Sequence, residues 1–142
     1  MRIIVDGDGC PVKKIIVEVA KEKNIKVIMV ADRNHRIDDD YSEVIYVEQA
    51  NDSADFKIGE ITQKNDIVVT ADFGLASMVL TDDIRVITFN GMIVNSFNID
   101  MLLMQRFISA KNRRSGKKTK GPKKRKNEDD VNFRNKLLEM ID

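Results

Sequence analysis

Short runs of β-branched and aliphatic residues recur along this chain, separated by stretches with helical spacing. That alternation limits the fold more than any other feature. Arg2–Asp6, Lys26–Ala31, Val44–Val47, Ile67–Ala71 and Arg85–Phe89 read as strands. After the first run, Pro11 suits an opening helical turn, and Val12, Ile15, Ile16, Val19 and Ala20 carry helical spacing to about Lys23. Asp32–Ser42 is polar and aperiodic, a loop. Asn51, Asp52 or Ser53 caps a helix that carries Ala54, Ile58 and Ile61. Leu75, Met78, Val79 and Leu80 mark a short helix, and Ile99–Ile108 a strongly apolar one. A last helix is capped by Asn127, with Val131, Phe133, Leu137, Leu138 and Ile141 on its buried face. Strands alternating with helices predict one α/β domain of three layers, with a mostly parallel central sheet and helices on both faces.

At 142 residues the chain is one domain by default. Its single cysteine excludes an intramolecular disulfide framework and cannot alone supply a structural zinc site. Runs such as Ile15-Ile16-Val17 are far too short to cross a bilayer, and Met1–Asp6 has no signal-peptide character. The expected setting is a reducing cytoplasm.

Net charge is +1, but its distribution is uneven. Residues 1–110 carry 12 basic and 18 acidic side chains, whereas Lys111–Lys126 contains ten basic residues and no acid. The organisation expected is therefore an α/β core over 1–110, a flexible basic strip over 111–127 and a C-terminal helix over 128–142. With no apolar residue, the strip cannot bury itself and reads as a loop or arm. A solvated linker and a phosphate-binding arm both fit such a run. In the second case Arg113, Arg114, Lys117, Lys118 and Lys120, with Lys13 from the first helix, would contact nucleic acid.

In parallel sheets the working crevice lies beyond the carboxyl ends of the strands. The first strand ends in Asp6-Gly7-Asp8, and two residues apart in extended chain the carboxylates share a side. The fourth ends in Thr70-Ala71-Asp72, and both ends face one crevice if the strands neighbour each other. Carboxylates about 5 Å apart repel by roughly 3 kcal/mol at an effective dielectric near 20. A cluster must hold a proton or a cation, and oxygen-only ligands favour Mg²⁺ or Mn²⁺. Such a centre suits phosphodiester hydrolysis. A basic arm would offset the repulsion between an acidic crevice and a polyanion.

Val5-Asp6-Gly7-Asp8-Gly9-Cys10-Pro11-Val12-Lys13 resembles the opening motif of the YaiI/YqxD family of bacterial proteins. Asp52-Ser53-Ala54-Asp55, Asp66–Asp72 with Leu75-Ala76, Asn98-Ile99 and Arg113-Arg114-Ser115-Gly116 with Gly121-Pro122 are similar to its further segments. The resemblance covers nearly the whole chain. It implies a PIN-like fold, shared with metal-dependent ribonucleases. It also implies Asp6, Asp8, Asp55 and Asp72 as catalytic, metal-holding residues, with Asp52 a further candidate and RNA the substrate. Lys123-Lys124-Arg125-Lys126 departs from the family's uncharged, Pro/Phe-containing stretch.

Other readings compete. A non-catalytic nucleic-acid-binding or regulatory domain would use the same arm. A haloacid-dehalogenase-type phosphatase also begins with Asp-x-Asp after a strand, although Cys10 stands where Thr or Val is usual. Cys10 reads as a small packed residue and His35 as exposed and idle.

Overall fold

A computed structural model describes residues 1–34, 36–49, 53–118 and 124–142. Its elements run β1 (Arg2–Asp6), α1 (Lys13–Lys23), β2 (Lys26–Asp32), β3 (Glu43–Val47), α2 (Ser53–Ile61), β4 (Ile67–Val69), α3 (Phe73–Val79), β5 (Arg85–Ile87), β6 (Ile93–Val94), α4 (Ile99–Arg114) and α5 (Asn127–Ile141). The six strands form one sheet in the order β3-β2-β1-β4-β5-β6, and every pairing is parallel except β5–β6. Order reverses between β1 and β4, the switch point where a crevice opens. The chain is an α/β domain with a mostly parallel sheet, as its strand–helix alternation predicts, and of the Rossmann-like, PIN-like type that the family resemblance implies.

Side chains on alternate sides of each strand feed two cores. Ile3, Val5, Val27, Met29, Ile67, Val69 and Ile87 face α1 and α5. Ile4, Ile28, Val30, Val68 and Val86 face the layer formed by α2, α3 and α4. Ile67, Val68 and Val69 are therefore all fully buried, as a central parallel strand requires. At the amino ends of the strands, buried Asp66 accepts from Arg2 Nη2 at 2.7 Å and from the Gln63 amide at 2.8 Å. Arg2 Nη2 also reaches the Ile61 carbonyl at 2.7 Å, joining β1 to the end of α2 and the start of β4.

Several boundaries differ from the sequence reading. β4 ends at Val69 and not Ala71, because Thr70–Asp72 turns to start α3. β5 ends at Ile87 and not Phe89, since Thr88–Met92 makes a tight turn into β6. In that turn the Thr88 amide donates to Met92 O at 2.9 Å, and Gly91 adopts φ +91°, where a Cβ would meet Asn132 at 2.7 Å. The helix read over Ile99–Ile108 continues to Arg114, so the first residues of the basic strip are helical. Lys111, Arg113 and Arg114 in its last turn complement the negative end of the helix dipole. Ser115 and then Gly116 (φ +81°) end it, with the Lys117 amide donating back to Asn112 O at 2.9 Å.

In α5, Asn127 is the first helical residue and not the cap. The Asp129 carboxylate accepts from the Lys126 amide at 2.8 Å. Phe133, Leu137 and Met140 form the buried face, with Leu138 and Ile141 partly buried and Val131 half-exposed. Among the described residues no helix is long and apolar enough to cross a membrane.

Candidate active site at the carboxyl ends of β1 and β4

The register of the two central strands builds the site. Val5 pairs with Val69, so the next residues, Asp6 and Thr70, lie level just past the ladder. Thr70 is buried, and its Oγ1 donates to Asp6 Oδ2 at 2.9 Å while accepting from the Asp72 amide at 3.0 Å. One hydroxyl thus ties the first strand's carboxylate to the backbone of the second strand's aspartate.

Asp72 caps α3. Its Oδ1 accepts from the amides of Gly74 at 2.8 Å and Leu75 at 3.2 Å. The same oxygen accepts from Arg106 Nη1 at 2.9 Å, across from α4. Asp8 lies in the turn after β1, where both carboxylate oxygens accept from the Asp32 amide at 3.2 Å. Asp55 occupies the first turn of α2.

Burial pushes the Asp6 carboxyl up to about 6, above the usual carboxylate range. The Thr70 hydrogen bond opposes this, and the charges of Asp55, Asp8 and Asp72 add to it. The four aspartates singled out from sequence therefore share one electrostatic field. Asp6, Asp8 and Asp72 also line one cavity of about 730 Å³, together with Gln105, Arg106 and Arg113. Asp55 is outside its lining. A neighbouring cavity of about 640 Å³ shares Ala71, Phe73 and Phe89 with the first and is bordered by Lys124 and Lys126.

The donors here are hard carboxylate oxygens, the type that Mg²⁺ and Mn²⁺ take. Among the described residues, however, no three His, Cys, Asp or Glu side chains form a group able to hold a metal ion.

Of the cationic residues singled out, Arg113 lines the crevice, and Arg114, Lys117 and Lys118 are exposed at and beyond the end of α4. Lys13 is half-buried at the start of α1 and outside that lining. Lys120, Asp52 and His35 lie outside the described residues. Cys10 is buried in the core, and burial pushes its thiol up to about 11, so it is a packed residue and not a nucleophile.

Sequence reasoning missed Arg106, Gln105 and Ser109. A signal existed: with Arg113 they form a polar stripe along a helix read only for its apolar positions. Lys124 and Lys126, from the basic strip, border the neighbouring cavity and not the crevice itself.

The chain matches the family described as "Uncharacterized BCR, YaiI/YqxD family" over residues 4–142. It is 49% identical to a UPF0178 protein of Natranaerobius thermophilus, over 99% of this chain and 96% of that one. It is 47% identical to a UPF0178 protein of Clostridium novyi, over 99% and 95%. A UPF0178 protein of Oceanobacillus iheyensis is 42% identical over 99% of each chain. No solved structure matches the chain.

Proposed function

The chain belongs to the YaiI/YqxD family, and we propose that it hydrolyses phosphodiester bonds of RNA, with Mg²⁺ or Mn²⁺, in the crevice beyond β1 and β4. One observation carries this reading: Asp6, Asp8 and Asp72 line a single cavity with Arg106 and Arg113. Acidic groups alone would repel a polyanion, and basic groups alone would only bind it. Their apposition suits a site that both captures a phosphate and acts on it.

Mg²⁺ commonly takes one or two carboxylates, several waters and the substrate's own phosphate oxygens. Asp6 and Asp8 would hold it in that way, and no third protein carboxylate is then required. The ion would supply phosphoryl polarisation and an acidified water. Arg106 and Arg113 bind phosphate oxygens, and Thr70 fixes the direction of the Asp6 carboxylate. Lys124 and Lys126 extend the cationic track past Phe73 and Phe89, the mixture of charge and aromatic surface that single-stranded nucleic acid uses. RNA is the substrate that the resemblance to PIN-like ribonucleases implies.

A second reading has its own support. Asp72 Oδ1 is already bound by Arg106 and two amides, as befits a binding domain without catalysis. Incubating end-labelled single-stranded RNA with the protein separates the two. Cleavage that needs Mn²⁺ and stops with chelator supports hydrolysis, whereas salt-sensitive binding with no cleavage supports the binder.

A further inference from the structure

The outward side of α4 carries a run of exposed apolar side chains that neither core uses. Met101, Met104 and Ile108 are 56%, 57% and 49% exposed, at the i, i+3, i+7 spacing that aligns them on one face. Phe107 beside them is 58% exposed, and Phe97, in the turn before the helix, is 96% exposed. At about 100° per residue this face is turned away from the crevice residues Leu102, Arg106, Ser109 and Arg113, with Gln105 at the border between the two. Isolated exposed apolar residues are ordinary; a continuous stripe over about two turns of one helix marks a contact.

Charge selects the occupant. α4 has Asp100 in its first turn and Lys111, Arg113 and Arg114 in its last. Asp100 and Lys111 fall on the same flank of the apolar stripe, three helical turns apart. A two-fold axis across the helix relates that flank to itself with its direction reversed. The acidic end of one helix then meets the basic end of another, and the helix dipoles oppose favourably. A parallel pair would instead set the two basic helix ends side by side. We propose that α4 is the self-association face of this protein, two copies pairing antiparallel through Met101, Met104 and Ile108, with Asp100 of each facing Lys111 of the other. Methionines suit such a seam because they adapt to one another's shape. Nothing in this pairing depends on the chemistry of the crevice.

Sedimentation equilibrium of the full chain at low ionic strength tests it. The wild type is expected to associate to a dimer at micromolar concentration, and Met104→Glu to remain a monomer with an unchanged circular dichroism spectrum. Asp100→Lys and Lys111→Asp should each raise the dimer Kd about tenfold by setting like charges face to face. Mixed in equal amounts, these two variants restore both attractive contacts and should recover wild-type association. A monomeric wild type overturns the proposal, as does a mixture no tighter than either variant alone. A monomer that binds vesicles of anionic phospholipid would give the face to a membrane surface instead, and equally overturns it.

Discussion

Arg106 Nη1 lies 2.9 Å from Asp72 Oδ1, the oxygen that also caps α3 through Gly74 and Leu75. A structural duty and a charge contact thus meet on one atom, and substitutions separate them. Asp72→Ala removes the cap and should cost about 1 kcal/mol, whereas Asn caps as well as Asp, so Asp72→Asn should cost far less. The Arg106–Asp72 pair is partly exposed to solvent, so Arg106→Ala should change stability by only about 1 kcal/mol or less. Its effect should appear as weaker RNA affinity. Urea melts and filter binding on the same samples distinguish the two roles.

Asp6 gives a pH signature. In the folded chain its carboxyl titrates near 6, against 3.8 for an unperturbed aspartate. Between those values the folded state binds more protons than the unfolded state. Stability therefore falls as pH rises through this window and levels off above it. Asp6→Asn keeps an acceptor for Thr70 and removes the buried charge. The variant should exceed wild type by about 1–3 kcal/mol near neutral pH, and the gain should vanish below about pH 4. Denaturation midpoints across that range check it.

Asp66 provides the contrast, a carboxylate with structural work only. It is 2% exposed and holds Arg2 and the Gln63 amide at the opposite end of the sheet from the crevice. Asp66→Ala strands the Arg2 guanidinium and should cost about 3 kcal/mol. RNA affinity measured well below the melting temperature should be unchanged.

The alternation of β-branched runs and helical spacing was enough to read the sheet and most helices, because a buried parallel strand leaves little choice of side chain. That the ends of β1 and β4 bring Asp6 and Asp72 to one crevice was legible too, since it follows once the two strands are neighbours. What escaped depended on tertiary context. β6 is two residues long and exists only through the turn at Gly91. α4 runs beyond its apolar stretch because the charged residues that follow are good helix formers in a favourable dipole position. Met140 and not Val131 faces α1, because the rotation of α5 against the sheet is set by packing. Arg106 belongs to the crevice only by virtue of where α4 crosses α3.

Cys10 should behave as its burial dictates. With its thiol pushed up to about 11, it should resist iodoacetamide and aromatic disulfides at pH about 8 in the native protein, and react promptly once unfolded. Rapid labelling under native conditions would show that the turn after β1 opens readily.

In the proposed function the carboxylates beyond β1 and β4 cleave RNA and do not merely border its path. The most direct measurement is the rate of Mn²⁺-dependent cleavage of a labelled single-stranded RNA by wild type and Asp8→Asn, with affinity for the same RNA measured alongside. The variant should lose cleavage by at least about a hundredfold while its affinity stays within a few-fold of wild type. Equal cleavage by both proteins, or none by the wild type despite tight binding, would contradict it.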